Sequence, residues 1–206
     1  MKLYYSPGAC SLAPHIVARE AELPVDIERV DLGSGKTETG ISYREEINPK
    51  GYVPALKLDS GDTLTEVANV VAYLADQGPA KNLAPAAGTM ERYRLQEWLT
   101  FISSEIHKGF SPLFNPKLPA GMAEILKDKL ATRFAYLDAH FAKNKFLLGD
   151  RFSAADAYLF TVTNWTVPLK IDLSPYPNLV AYRARVAERP AVRAAMEAEG
   201  LMKKAA

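Results

Sequence analysis

The sequence predicts a chain in two parts, a mixed α/β unit followed by an all-helical one. Three observations carry this. Strand and helix signals alternate over the first third, strand signals stop after Gln77-Gly78-Pro79, and helical stripes of apolar residues fill the remainder. At 206 residues, with 48% apolar and 24% charged side chains, the chain has the composition of a folded globular protein long enough for two small cores.

Lys2 to Ser6 is short, aromatic and apolar, and reads as a first strand broken by Pro7-Gly8. Ser11 opens a helical pattern through about Glu22, with Pro14 in its first turn, where a missing N–H is tolerated. Val25 to Leu32 is a second strand, and the polar stretch Gly33 to Ser42 reads as a loop. The dense turn signal Asn48-Pro49-Lys50-Gly51 leads through Tyr52-Val53-Pro54 into a third strand, Ala55 to Leu58. Ser60-Gly61-Asp62 turns into a fourth, Thr63 to Thr65. From Glu66, the apolar spacing of Val67, Val70, Val71 and Leu74 is that of one helix face. The predicted order is β-α-β, a loop, then β-β-α.

Residues 1–80 therefore form the α/β domain, 81–87 a linker containing Pro85-Ala86-Ala87, and 88–206 an all-helical domain. Leu95, Leu99, Ile102 and Ile106 keep one apolar stripe, and Leu126, Leu130, Leu137 and Phe141 another. Pro112, Pro116 and Pro119 interrupt the helices between them. Ser153-Ala154-Ala155-Asp156 has the Ser-x-x-acid capping pattern and opens a helix apolar on nearly every side, as a central buried helix would be. Pro177 and Pro190 mark the starts of two shorter terminal helices.

Lys plus Arg is 25 against 24 for Asp plus Glu, so no overall field favours nucleic acid or an acidic membrane surface. A small neutral or zwitterionic ligand fits better. No apolar run is long enough for a leader or a membrane span, and the expected location is the cytoplasm. Cys10 is the single cysteine, so no disulfide can form within the chain. His15, His107 and His140 lack metal-ligand spacing, and no metal is expected.

Cys10 lies just after strand one, close to the start of helix one, where free N–H groups and the helix dipole favour a thiolate. Most lone cysteines are small buried hydrophobes, and position alone leaves that reading open beside the reactive one. Residue 13, where a thioredoxin would carry a second cysteine, is Ala13, so internal disulfide cycling is ruled out. Val53-Pro54 at the mouth of a strand marks either a cis bond, which would turn the Val53 backbone outward to a peptide-like ligand, or a simple loop proline. Glu66 sits where strand four meets helix three. It either pairs with a ligand ammonium while helix N–H groups hold a carboxylate, or it only stabilises the helix start.

Together these pieces resemble the glutathione S-transferases, over nearly the whole chain and most nearly the bacterial beta class. The motifs that carry the resemblance are Met1-Lys2-Leu3-Tyr4-Tyr5-Ser6-Pro7-Gly8-Ala9-Cys10-Ser11-Leu12, Asn48 to Pro54, Leu64-Thr65-Glu66, Glu105-Ile106-His107-Lys108-Gly109-Phe110 and Ala155-Asp156-Ala157-Tyr158-Leu159-Phe160. The resemblance implies a thioredoxin-like fold for the first domain and glutathione as co-substrate, conjugated to small hydrophobic electrophiles. It implies that the Val53 backbone, before a cis Pro54, binds the cysteinyl part, with Tyr52 beside it. Glu66 and the N–H of Val67 then take the γ-glutamyl head, and Lys36 the glycyl carboxylate, the family's lysine falling at Gly35.

Cys10, Ser11 and His107 are implied as the hydrogen-bond donors around the glutathione sulfur, with Ser104 one turn before His107. Cys10 and His107 are the catalytic candidates. Thr100 stands where relatives often carry an asparagine that reaches the other subunit's glutathione, and Val67 replaces a Ser or Gly. Phe110, Phe114 and Trp165 are candidates for the electrophile pocket, each of them equally a core aromatic. A homodimer is implied, as is a glutathione-dependent thiol or peroxide reductase activity through a Cys10 mixed disulfide. The non-enzymatic alternative is a protein that binds glutathione or apolar ligands without turnover.

Overall fold

Strand β1 (Lys2–Tyr5) organises the first unit because it pairs on both edges. It runs parallel to β2 (Asp26–Asp31), with Leu3 opposite Ile27, and antiparallel to β4 (Ala55–Lys57), with Leu3 opposite Leu56. Strand β5 (Thr63–Thr65) continues the sheet beyond β4. The computed structural model describes residues 1–119 and 121–202. They fall into two units, Met1–Ala84 joined by the chain from Arg189, and Pro85–Glu188.

The stretch expected to be a loop contains one more strand. Strand β3 (Lys36–Thr37) pairs antiparallel with β2, giving the order β3-β2-β1-β4-β5. Two residues are too few for an alternating pattern to show in sequence. A short helix, α2 (Tyr43–Glu46), follows and was equally silent.

Alternation along β1 sends successive side chains to opposite faces. On one face Leu3 is buried, and α1 (Leu12–Glu20) packs on α3 (Val67–Gln77), with Leu12, Ile16 and Val17 of the one and Val70, Val71 and Leu74 of the other buried. Each such side chain contributes roughly 1.5–3 kcal/mol of burial. On the other face Tyr4, Val30, Tyr43, Val53 and Ala55 form a second cluster, with the Tyr4 and Tyr43 rings 5.8 Å apart.

Helix α9 (Pro190–Ala198) packs on α1, so the last helix belongs with the first unit. This departs from a helical domain running from 88 to 206. The joint is polar as well as apolar. Glu199 is buried, its Oε2 accepting the Gly8 N–H at 3.0 Å and its Oε1 lying 2.9 Å from His15 Nδ1. Arg19 Nε–H donates to His15 Nε2 at 3.1 Å, so the ring proton sits on Nδ1, facing Glu199. Arg189 grips Glu20 through both carboxylate oxygens at 2.6 and 2.8 Å.

In the second unit α4 (Met90–Phe101) continues without a break into a π-helical segment, Ile102–His107, and then α5 (Lys108–Phe110). The Lys108 N–H bonds back to Ser103 O, five residues earlier. Gly109 lets α5 approach α6 (Met122–Phe141) closely, since a Cβ there would lie 2.8 Å from Leu130 Cδ2. Leu130, Phe134, Leu137 and Phe141 bury the α6 face, while Leu126 is only half-buried.

Every residue of α7 (Ala154–Thr163) is buried, as its apolar sequence predicts. Its start depends on Asp156, whose Oδ2 accepts from the Ser153 N–H and Oγ at 2.8 and 2.7 Å, and whose Oδ1 accepts the Leu147 N–H at 2.9 Å. Helix α8 (Pro177–Ala187) begins at a proline and is held by Asp138, which accepts from the Asn178 and Leu179 N–H groups at 2.7 and 3.0 Å. Burial works against the Asp138 charge, yet the Asn178 side chain and these N–H groups hold its carboxyl below the ordinary range.

Burial pushes the Asp156 carboxyl up to about 6, against the bonds from Leu147 and Ser153 that favour its charge. Asp156→Ala leaves three buried donors unpaired, at roughly 1–3 kcal/mol each, and is expected to lower stability by more than about 3 kcal/mol in urea unfolding. The folded pKa is raised, so this group's stabilising protonation is fully present below about pH 4 and lost as pH rises through about 6. The stability gap between wild type and Asp156→Ala is therefore expected to be larger at about pH 4 than at about pH 7.

Candidate functional site

The polar features singled out in the first unit converge at the ends of β1, β4 and β5. Cys10 lies in the turn between β1 and α1, two residues before the first helical residue, with Ser11 at the N-cap. The turn is closed from inside. The fully buried Ser11 hydroxyl accepts the Ser6 N–H at 3.1 Å and lies 3.3 Å from Ser6 O, to which it donates. Ser11 thus shapes the Cys10 loop.

The Val53–Pro54 bond is cis. Val53 is buried as a side chain, and its carbonyl accepts a hydrogen bond from the Cys10 thiol at 3.1 Å. The expectation was that both backbone groups of Val53 are turned outward, and the carbonyl already has the thiol as a partner. Cys10 itself is buried. The thiol and the strand-mouth backbone are thus immediate neighbours, although 43 residues separate them.

The turn before Val53 is fixed by Asn48, from the turn signal, and by Tyr43, which no sequence pattern singles out. Tyr52 O accepts from Asn48 Nδ2 at 2.7 Å and from Tyr43 OH at 3.1 Å. Asn48 also closes its own turn, its Oδ1 accepting the Lys50 N–H at 3.2 Å and its backbone carbonyl the Gly51 N–H at 2.8 Å. Burial pushes the Tyr43 hydroxyl up to about 12, so it remains a donor at any working pH. Gly51 has φ +76°, a conformation that L side chains rarely adopt, which favours glycine there; the Arg44 guanidinium, 2.6 Å from where a Cβ would lie, is the end of a flexible side chain. The Asn48-Pro49-Lys50-Gly51 signal announced a turn, but the buried partner of its carbonyl came from α2.

Glu66 is the N-cap of α3, with φ +68°. A non-glycine residue in that region holds roughly 1–3 kcal/mol of strain, which its surroundings must over-determine. They do so through its side chain: Oε1 accepts from Lys50 Nζ at 2.7 Å and from Tyr52 OH at 2.6 Å, and Lys50 Nζ also reaches Thr65 Oγ1 at 2.9 Å. Hydrogen bonding to Glu66 holds both the Lys50 ammonium and the Tyr52 hydroxyl above their ordinary pKa values. Val67 is buried as the first residue of α3. Lys36 is exposed on β3.

The second unit brings together another group. His107 Nδ1 and Tyr158 OH share a hydrogen bond of 2.6 Å, and the His107 ring meets Trp165 edge-on at 4.9 Å. Trp165 in turn contacts Phe110 at 5.9 Å and Phe114 at 5.5 Å. The three aromatics chosen from sequence are therefore one cluster with His107. Phe110 is fully buried and packs on Phe134, which makes it core, whereas Phe114 is half-exposed. Tyr158, the partner of His107, lies in an apolar run whose pattern gives no sign of this pairing.

Thr100 and Ser104 are exposed on α4 and the π-helical segment. The expectation that Ser104 shares a face with His107 rested on ordinary helical spacing, which the chain does not keep across Ile102–His107. Among the described residues no group of three His, Cys, Asp or Glu side chains could hold a metal ion. No described helix is long and apolar enough to cross a membrane.

A cysteine at the β1–α1 turn beside a cis proline at the mouth of β4, on a mixed five-stranded sheet flanked by helices, defines a thiol-handling domain of the thioredoxin-like class. Comparison with known proteins narrows this. Residues 8–77 match the family model "Glutathione S-transferase, N-terminal domain", and residues 101–190 match "Glutathione S-transferase, C-terminal domain". The chain is 42% identical to glutathione S-transferase GstA of Escherichia coli O157:H7, over 98% of this chain and 100% of that one. A sphingomonad glutathione S-transferase structure complexed with glutathione superposes with TM-score 0.94 at 46% identity, and the bacterial beta class enzyme of Sphingomonas chungbukensis with TM-score 0.94 at 48%, each covering 98% of this chain and 100% of the other. The chain belongs to the glutathione S-transferase family, in its bacterial beta class. It is a transferase, and glutathione is its co-substrate.

Asn48→Ala removes one of two donors to Tyr52 O and the side-chain lock on the turn. It is expected to destabilise the fold by about 1–3 kcal/mol in thermal unfolding, and to weaken glutathione binding measured by calorimetry.

Proposed function

We propose that this enzyme binds glutathione along the ends of β4 and β5 and conjugates its sulfur to small hydrophobic electrophiles. The observation that carries this reading is the Cys10 thiol 3.1 Å from Val53 O at a cis Val53–Pro54 bond, which puts a thiol next to the backbone that would receive a cysteinyl residue. Val53, with Tyr52 beside it, takes the cysteinyl part, Glu66 and the N–H of Val67 the γ-glutamyl head, and Lys36 the glycyl carboxylate. Preorganised donors beside a sulfur stabilise its anion, and holding the electrophile next to it supplies proximity. Cys10 serves as a positioning and redox group near that sulfur. His107 is assigned to the same sulfur by resemblance, and its bond to Tyr158 fixes the ring for such a role.

Phe114 and Trp165 are proposed for the electrophile, with Phe110 supporting Trp165 from the core. A homodimer is proposed, with Thr100 and Ser104 at its glutathione sites, and a cytoplasmic location. Light scattering that finds only monomer at micromolar concentration would overturn the dimer.

A second activity is favoured by Cys10 being the single thiol beside that backbone. The Cys10 thiolate would attack one sulfur of oxidised glutathione, forming a mixed disulfide and releasing one glutathione thiolate, so that one disulfide bond breaks as one forms. The thiolate released takes up the proton that Cys10 lost.

Purified enzyme is expected to accelerate the reaction of glutathione with at least one member of a panel of halogenated aromatics, epoxides and isothiocyanates. Glu66→Ala should raise the KM for glutathione by about tenfold or more, the loss of a charge-assisted contact. Cys10→Ala should retain conjugation while losing the adduct that intact mass detects after treatment with oxidised glutathione. An adduct that persists in Cys10→Ala counts against the redox reading, and a panel with no turnover counts against conjugation.

A further inference from the structure

The side chain of Glu66 is shared with Lys50, which lies in the Asn48 to Pro54 motif and has none of the roles given above. Lys50 sits in the locked turn, its own N–H bonded to Asn48 Oδ1 and the next N–H to Asn48 O, so its backbone is held in place. From there its ammonium reaches Glu66 Oε1 at 2.7 Å and Thr65 Oγ1 at 2.9 Å. An ammonium carries three donors; these two contacts use two of them, and the Tyr52 hydroxyl lies close to the same nitrogen. Both partners of the ion pair are about half-exposed, so the pair faces solvent at the start of α3.

The same place can receive an anion. The N-cap residue Glu66 makes no side-chain cap hydrogen bond at the start of α3, and Val67 brings no hydroxyl to add to the backbone N–H donors. A carboxylate arriving there would meet backbone N–H groups and the helix dipole, together worth only a modest attraction in water. An α-amino acid head carries an ammonium and a carboxylate on one carbon. Lys50 and Glu66, a cation and an anion in contact, present the complementary pair. A ligand with only a cation meets a carboxylate already neutralised by Lys50, and one with only an anion meets an ammonium already neutralised by Glu66. The zwitterion engages both at once.

We propose that Lys50 determines specificity in the γ-glutamyl subsite, its ammonium binding the α-carboxylate of glutathione while Glu66 binds the α-ammonium. This rests on the glutathione reading above and names the residue that recognises the second charge of the head group. Lys50 acts as a binding residue in its own right, beyond holding Glu66.

The test is calorimetric titration of the full chain, as wild type, Lys50→Met and Lys50→Arg, with two ligands. One is glutathione. The other is 4-aminobutyryl-cysteinylglycine, which keeps the ammonium and lacks the α-carboxylate. Lys50→Met is expected to weaken glutathione binding about fivefold at low salt, less at high salt, with Lys50→Arg within about twofold of wild type. The decarboxylated analogue should bind Lys50→Met at least as tightly as wild type, because its ammonium then meets a Glu66 carboxylate that Lys50 no longer neutralises. Glutathione binding that is unchanged or tighter in Lys50→Met overturns the proposal, because Lys50 then only competes for Glu66. An equal loss for both ligands also overturns it, because Lys50 then acts solely by placing Glu66. A wild type that fails to bind glutathione refutes the glutathione reading itself, and this inference with it.

Discussion

The carbonyl of Tyr52 is the point on which the site depends. Two donors from different places in sequence, Asn48 Nδ2 in the same turn and Tyr43 OH on α2, converge on it. With that carbonyl held, the backbone on either side has little freedom. On one side stand Gly51, pressed against Arg44, and Lys50 with its ammonium over Thr65 and Glu66. On the other are the cis Val53–Pro54 bond and the Val53 carbonyl that meets Cys10. The cost of ordering these polar groups is met by hydrogen bonds inside the turn and by the apolar cluster of Tyr4, Tyr43, Val53 and Ala55 beneath it.

The Cys10 side of the site is held by a different device. The Ser11 hydroxyl closes the turn onto Ser6, and the Glu199 carboxylate reaches Gly8 from the far end of the chain. Glu199 is fully buried and takes a second contact from His15, so α9 is tied to the start of α1 by a polar joint inside an otherwise apolar contact. Breaking one partner of such a joint strands the other without water. That is the physical reason for the last helix to group with the α/β unit.

In the helical unit, Asp156 plays the comparable part. Its carboxylate closes the α7 cap and ties it to Leu147, while Tyr182 OH donates to the Asp156 carbonyl at 3.1 Å. The segment Ile102–His107 departs from α-helical geometry at the residues that carry Ser104 and His107. A wide turn of this kind changes which side chains share a face, and His107 is consequently paired with Tyr158 and Trp165.

Much of this was determined by the sequence alone. The alternation of β1, the 3.6-residue stripe of α3, the wholly apolar run of α7 and the prolines opening α8 and α9 are local patterns, and local patterns fix local structure. So do the turn chemistry around Asn48 and the Ser-x-x-Asp cap at Ser153. Five motifs in order, from Met1 to Leu12, Asn48 to Pro54, Leu64 to Glu66, Glu105 to Phe110 and Ala155 to Phe160, also carry the resemblance to the family and its co-substrate.

Only the tertiary structure decided the pairings. Strand β3 is too short to leave a period, and Phe110 differs from Phe114 in burial though both are aromatic residues of one segment. Glu199 meets Gly8 across 191 residues, Lys50 meets Glu66 across 16, and Cys10 meets Val53 across 43. No periodicity encodes contacts of that kind. The first exists because α9 packs on α1, and the other two because the sheet order places β1 beside β4 and β4 beside β5, bringing the loops at their ends within hydrogen-bonding distance.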